Sequence, residues 1–302
     1  MAETKFSHIP VLLQEAIDFL AVRRGGTYVD ATLGLGGHSY EIARRLGREG
    51  RLIGLDKDPA ALERARQRLS DLPAELQSDW PEIRLEHGSF ARLGELVDPA
   101  SIDGLLADLG VSSLQLEDAS RGFSFQAEGP LDMRMNPTVG ETAEQVVNRI
   151  DEKQLADVIY EFGEERRSRR IARAIVRARP IRSTKHLVEV VSAAARPMKS
   201  QGFERIHPAT RTFQAIRIFV NRELDDVRAL LESAPTALGK NGRLVVISFH
   251  SLEDRIVKDA MRDGAHYGLY QLLTKKPVTA GEEEVERNPR SRSAKLRAAE
   301  KM

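Results

Sequence analysis

No cysteine occurs among the 302 residues. That absence removes disulfides, thiolate nucleophiles and cysteine-based zinc sites together, and it fits a chain that works in a reducing cytoplasm. No apolar run approaches the roughly 18 residues that a membrane span requires. The N-terminal stretch MAETKFSHIPVLLQEAIDFL lacks a basic segment followed by a long apolar core, so no signal peptide is expected. No group of His, Asp and Glu has metal-ligand spacing, so no protein-bound metal is expected. Internal repeats and long low-complexity tracts are missing too. Strong net charge is also lacking: the formal value is +1. Its distribution is uneven, however. Residues 121–220 hold 18 Lys+Arg against 12 Asp+Glu, a net +6, which leaves −5 for the rest. A basic middle inside an acidic frame suggests one part that faces a polyanion.

What is present follows a strand–helix alternation. Thr27 to Asp30 reads as a strand ending in an acid, Gly34 to Gly37 as a loop and His38 to Leu46 as a helix. Leu52 to Asp56 reads as a second strand ending in an acid. Asp58 and Pro59 then suit the N-cap and first position of a helix whose apolar residues Ala61, Leu62, Ala65 and Leu69 fall at helical spacing. Ile83 to His87 and Ile102 to Leu109 are further strand candidates, and Arg243 to Phe249 is an apolar strand of the buried parallel type. Between Leu109 and Gly242 the signals are helical, over 154–162, 166–179, 185–195 and 210–231. Residues 272–301 read as a return to the sheet in two edge strands. The expected fold is α/β: a Rossmann-like sheet interrupted by a helical insertion. The sheet domain is expected at 1–114 and 216–302, and the insertion at 115–215.

The first constellation with chemistry is Asp30-Ala-Thr-Leu-Gly34-Leu-Gly36-Gly37-His38. Glycines after a strand let backbone approach a ligand closely. The dinucleotide fingerprint needs a third glycine where Ser39 stands, and this loop starts four residues after Asp30, so NAD is disfavoured. Asp56 lies 20 residues after Gly36 at the next strand end, where a carboxylate can accept from ribose hydroxyls. Asp108 ends the fourth strand, placed for chemistry, for cofactor contact or as a helix cap. Phe90 suits either an adenine wall or core packing. Phe123, Phe125 and Phe249 suit either base stacking or the core. His250 follows the apolar strand and could serve the site or the structure. Seven arginines fall between Arg166 and Arg179, beside an apolar stripe of Ile171, Ala174, Ile175 and Ala178. Arginine forks suit phosphate oxygens, and the alternative is a solvated face paired to Glu161, Glu164 and Glu165. Arg205, His207, Arg211 and Arg217 extend the basic suggestion.

The runs DATLGLGGHS (30–39), GLDKDP (54–59), DLGVSS (108–113), RGFSF (121–125), GPLDMRM (129–135), EFGEER (161–166), HPATRTFQAIRIFVN (207–221), SFHSLEDRIVK (248–258) and NPRSRSAKLRAAEK (288–301) resemble the bacterial small-subunit ribosomal RNA cytosine-N4 methyltransferase family (RsmH, or MraW), in order and over almost the whole chain. The resemblance implies a class I methyltransferase domain with a helical insertion for RNA recognition. It implies S-adenosylmethionine as cofactor, and 16S ribosomal RNA within the small subunit as substrate. The target is then a cytosine N4 in the decoding centre. Carried over by position, the cofactor contacts fall on Gly36, Gly37, His38, Asp56, Phe90, Asp108 and Gln115. Asp108 and His250 are the candidate catalytic residues, and Arg166, Arg170, Arg173, Arg177 and Arg211 the candidate RNA contacts. Leu114 stands where the family usually has proline, and Asn136 where aspartate is common. An oxidoreductase, a cofactor-sensing assembly factor and a DNA or protein methyltransferase remain rivals on sequence alone. Oligomeric state is not legible, and a homodimer stays open.

Overall fold

The computed structural model describes residues 9–195 and 207–302; Arg205 lies outside them. The chain divides into two compact units, residues 1–110 with 224–302, and residues 111–223.

The first unit is a seven-stranded sheet flanked by helices. In chain order its elements are α1 (Leu13–Leu20), β1 (Thr27–Asp30), α2 (Gly37–Leu46), β2 (Arg51–Asp56), α3 (Pro59–Ser70), the short α4 (Ala74–Gln77), β3 (Glu82–His87), the short α5 (Leu93–Leu96) and β4 (Ile102–Asp108). The second unit contributes α6 (Ser113–Glu117), α7 (Ala143–Arg149), α8 (Glu152–Gly163), α9 (Ser168–Arg177), α10 (Thr184–Ala195) and α11 (Ala209–Asn221). The first unit then resumes with α12 (Glu223–Ala237), β5 (Leu238–Ser248), α13 (Ser251–His266), β6 (Tyr270–Leu272), α14 (Glu282–Arg287) and β7 (Lys295–Lys301).

The strand order is β3-β2-β1-β4-β5-β7-β6. Strands β1 to β5 pair in parallel, and β7 runs antiparallel to both β5 and β6. This is the class I methyltransferase arrangement. The tail departs from the expected two edge strands: β6 is an edge, while β7 is interior, its Leu296, Ala298 and Ala299 buried between β5 and β6. Apolar runs explain the central strands, since covering a parallel sheet on both faces demands side chains with no polar atoms. Leu105, Leu106 and Ala107 in β4 and Leu244 to Ile247 in β5 are buried accordingly. Asp58 caps α3 as expected, its Oδ1 accepting from the Ala60 amide at 3.0 Å with Pro59 at the first helical position.

The second unit packs its helices around a separate apolar core that includes Leu155, Ile159, Ile171, Ile175, Leu187 and Phe213. The helix expected over 210–231 is two helices. Arg222 takes a left-handed conformation, φ 54°, and ends α11 before α12 begins. Asn221 explains the stop: its Nδ2 donates to the Met133 and Arg217 carbonyls at 2.7 and 2.9 Å, and its Oδ1 accepts from the Met135 amide at 2.7 Å. α11 packs on α8, and the compact units divide at 110/111 and at 223/224. Among the described residues, no helix is long and apolar enough to cross a membrane.

Asn221→Ala would leave a Met135 amide and a Met133 carbonyl unpaired in a buried setting. The expected loss is about 2 kcal/mol of stability, read as a lower urea midpoint.

Candidate active site

The sheet order reverses between β1 and β4, so β1 leads outward to β2 and β3 on one side while β4 leads to β5 on the other. The carboxyl ends of strands at such a reversal form a crevice, because the connecting segments part in opposite directions there. Three aspartates end the strands around it: Asp30 on β1, Asp56 on β2 and Asp108 on β4.

Each carboxylate has a different environment. Asp30 is 1% exposed; it accepts from the Ser39 hydroxyl at 2.7 Å and the Thr32 amide at 3.2 Å. Burial pushes it up to about 6 against those two donors. Asp56 accepts from the Gly34 and Asp58 amides, both at 2.8 Å, and burial likewise raises it to about 6. The Gly34 contact ties the glycine loop to β2. Asp108 is held well above the ordinary carboxylate range by burial first, then by the negative Asp30 and Glu253. Its amide donates to Thr32 Oγ1 at 2.5 Å, while its Oδ1 is buried with no hydrogen-bond partner among the described residues. A buried carboxylate oxygen without a donor is costly, which fits an atom whose partner is a ligand.

The glycine loop needs its glycines for packing and conformation. Gly36 has φ 72°, and a Cβ on Gly37 would stand 2.3 Å from Pro10 Cγ. His38 opens α2 and is buried. Its Nε2 donates to the Val11 carbonyl at 3.0 Å, since a carbonyl only accepts, which leaves Nδ1 facing Asp108 Oδ2 at 3.8 Å. Gly36, Gly37, His38, Asp56 and Asp108 therefore gather around the same strand ends. Phe90 sits on a 3-10 turn after β3, half-buried against the sheet core. The preceding Ser89 donates to Asp226 at 2.5 Å, and Lys57, next to Asp56, pairs with the same Asp226 carboxylate. Lys57, Ser89, Thr32 and Asp226 are not singled out by the sequence motifs. Three of them adjoin or lie within those motifs, whereas Asp226, 137 residues from Ser89, carries no local signal.

His250 has a structural contact. Its Nδ1 accepts from the Glu253 amide at 3.4 Å and caps α13. Its Nε2 lies 3.1 Å from Glu253 Oε1 and makes no hydrogen bond among the described residues. Phe249 is partly buried against the core beside β5 and also approaches Gly110.

Gln115 falls in the second unit. It closes a capping box on α6, its Oε1 accepting from the Ser112 amide at 3.0 Å. Leu114 occupies the first turn of that helix, where a proline would forgo only an amide with no intrahelical partner, so the change leaves the box intact. Asn136 Oδ1 accepts from the Thr138 amide and hydroxyl at 3.0 and 2.7 Å, bonds an aspartate could equally accept. Phe123 and Phe125 pack with this unit's interior, Phe123 at 6% exposure and Phe125 5.0 Å from the Phe213 ring. On and beside α9, Ile171 and Ile175 face the core, while Arg166, Arg169, Arg170 and Arg177 are exposed and make no ion pair among the described residues. Arg173 pairs with Glu152 at 3.2 Å and Arg211 with Glu165 at 3.5 Å. Two of the seven arginines have structural roles instead. Arg167 donates to the Ala195 carbonyl at the end of α10, and Arg179 to the Val147 and Ile150 carbonyls at the end of α7.

The raised Asp30 has a signed consequence. An acid whose folded pKa exceeds its unfolded one stabilises the fold while protonated, fully so below about pH 4, and that contribution is lost as pH rises through about 6. The unfolding free energy of the protein relative to Asp30→Asn is expected to fall by about 3 kcal/mol between pH 4 and pH 7, measured by urea denaturation at each pH. A difference independent of pH would mean that folding leaves Asp30 at its unfolded value.

Comparison with known proteins adds to this geometry. Residues 5–302 match the MraW methylase family. A ribosomal RNA small subunit methyltransferase H from Koribacter versatilis is 72% identical over 295 residues, covering 98% of this chain and 94% of that protein. Proteins of the same name from Acidobacterium capsulatum and Solibacter usitatus are 67% and 51% identical, each over 97% of this chain and 98% and 99% of their own lengths. A match of this extent, over both units and every strand-end motif, makes the chain a member of the MraW methylase family.

Proposed function

We propose that this protein transfers the methyl group of S-adenosylmethionine to the exocyclic N4 amine of a cytosine in the decoding centre of 16S ribosomal RNA. The observation that carries the site assignment is the strand-end cluster: a glycine loop tied to Asp56, with the buried and unpartnered Oδ1 of Asp108 beside it. The small-subunit ribosomal RNA substrate is supported by the relatives' shared name, and the cytosine N4 target by the family resemblance.

The residues present fit the cofactor. Asp56 offers a carboxylate to the ribose hydroxyls, Phe90 a face to the adenine, and the Gly36–His38 segment the close backbone approach. Gln115 is carried over by position. Bound S-adenosylmethionine supplies an electrophilic methyl on a sulfonium. Asp108 then has two roles. As a carboxylate it accepts an N–H of the cytosine amine, which localises a lone pair otherwise delocalised into the ring, and it takes the proton afterwards. Burial raises Asp108, and a cofactor bearing positive charge would favour the ionised form that this chemistry needs. Holding the amine in line supplies much of the rest of the catalysis. His250, which caps α13 and lies beside the Glu253 carboxylate, is the second candidate for contact with the base or its phosphate. The target base must leave its stack to enter such a crevice.

The exposed arginines at α9 are assigned to phosphate contact. Arg166, Arg170 and Arg177 are the strongest candidates because they carry charge without an ion partner among the described residues. Arg173 would exchange the surface carboxylate of Glu152, a pair worth little in water, for a phosphate, whereas Arg211 is held by the buried Glu165 carboxylate and is the weaker candidate. A ribosomal substrate places the activity in the cytoplasm.

The deciding experiment incubates the protein with tritiated S-adenosylmethionine and small subunits from a strain lacking the activity, followed by digestion of the RNA to nucleosides. Label is expected in N4-methylcytidine; label elsewhere, or none despite cofactor binding, would overturn the assignment. In the same assay Asp108→Asn should lower turnover by at least about 100-fold while cofactor affinity changes little, and near-normal turnover would remove Asp108 from the chemistry. Charge reversal at Arg166, Arg170 or Arg177 should weaken RNA binding and reduce the salt slope by about one for each phosphate no longer held. An unchanged slope would return these arginines to a solvated face.

A further inference from the structure

Asp226 lies on α12, far in sequence from every motif of the site, yet it joins two of them. Its Oδ2 accepts from the Ser89 hydroxyl at 2.5 Å and pairs with the Lys57 ammonium. The Lys57 and Asp226 side chains are 20% and 15% exposed, so the pair is largely withdrawn from water and its geometry is less diluted by solvent than a surface pair would be.

The neighbours of the two partners give the contact its meaning. Lys57 directly follows Asp56, and its backbone carbonyl accepts from His87 Nε2 at 3.0 Å. Ser89 directly precedes Phe90, and its Oγ also accepts from the Ala91 amide at 3.0 Å, capping the turn that carries the Phe90 ring. One carboxylate therefore spans the segments leaving β2 and β3, one bearing the ribose acceptor and the other the adenine wall. Docking of α12 does not need this carboxylate, because Val227, Leu230, Leu231 and Ala234 already bury the helix against the sheet. A charge pair kept in such a place costs desolvation that an apolar contact would avoid, which argues for a role beyond fastening.

We infer that Asp226 is a positioning residue for the adenosine half of the cofactor, fixing Asp56 and Phe90 at the separation one nucleoside requires. The inference rests on the reading of the site as an S-adenosylmethionine site. Asp226 touches no reacting atom in it, so its removal acts on cofactor affinity and not on methyl transfer once the cofactor is bound.

The test is calorimetric titration of the full chain with S-adenosylmethionine, alongside steady-state kinetics on small subunits, for Ser89→Ala, Asp226→Asn, Asp226→Ala and the Ser89→Ala/Asp226→Ala pair. Asp226→Ala is expected to raise Kd and KM for the cofactor roughly tenfold while kcat at saturation stays within about twofold. Asp226→Asn keeps an acceptor for Ser89 but loses the countercharge to Lys57, and should fall between, at about threefold. Ser89→Ala strands no charge, should fold as the parent does, and should cost about threefold alone but less on top of Asp226→Ala, because the two share one link. Should Asp226→Ala fail to fold, Ser89→Ala and Asp226→Asn decide. Folded variants that bind within twofold of the parent, or that lose kcat with KM unchanged, would overturn the positioning role alone. A parent protein that binds no S-adenosylmethionine would overturn the site reading and this inference together.

Discussion

Three carboxylates stand at neighbouring strand ends, and burial resists the charge of each. Asp30, Asp56 and Asp108 are raised above the ordinary range because the sheet that positions them also withholds water. Much of the surrounding local structure consists of donors recruited to them. Ser39 turns its hydroxyl inward for Asp30, and the glycine loop gives its Gly34 amide to Asp56. Thr32 takes the Asp108 amide and so ties the β1 loop to the end of β4. What is left unsatisfied after this is Asp108 Oδ1, and an open acceptor in a buried crevice is the natural place for a ligand's donor.

The second unit obeys a different constraint. Its helices bury Ile171, Ile175 and their neighbours in a core of their own, which frees the opposite side of α9 for charge. Arginine fills that side, but unequally. Where a helix C-terminus lies within reach, as for Arg167 and Arg179, the guanidinium caps orphan carbonyls. Arg166, Arg169, Arg170 and Arg177 cap no carbonyl among the described residues and stay in solvent, available to a polyanion.

Much of the sheet was legible because its signals are local. Apolar runs ending in acids marked β1, β2 and β4, and Asp58 with Pro59 marked the start of α3 within a residue. The candidate cofactor residues followed from the same strand ends, whereas Gln115 came only through family resemblance, since a capping glutamine looks alike in any helix. The helix read over 210–231 shows the limit. Its apolar spacing is continuous through Arg222, and the break depends on Asn221 reaching the 133–135 backbone, about 88 residues earlier. Similarly, nothing in the run of seven arginines separates the two that cap helices from the exposed ones, because that difference lies in which carbonyls fold against them.

The class of sheet, the glycine loop, the acids at the strand ends and the family are legible in the chain alone, because each is written in neighbouring residues whose spacing matches the period of a strand, a turn or a helix. Tertiary structure decided which polar groups are satisfied. It paired Asp226 with Lys57 and Ser89, gave His250 a helix to cap, and left one oxygen of Asp108 without a partner. Hydrogen-bond satisfaction and desolvation depend on what the rest of the chain brings within about 3 Å, and no local pattern encodes that.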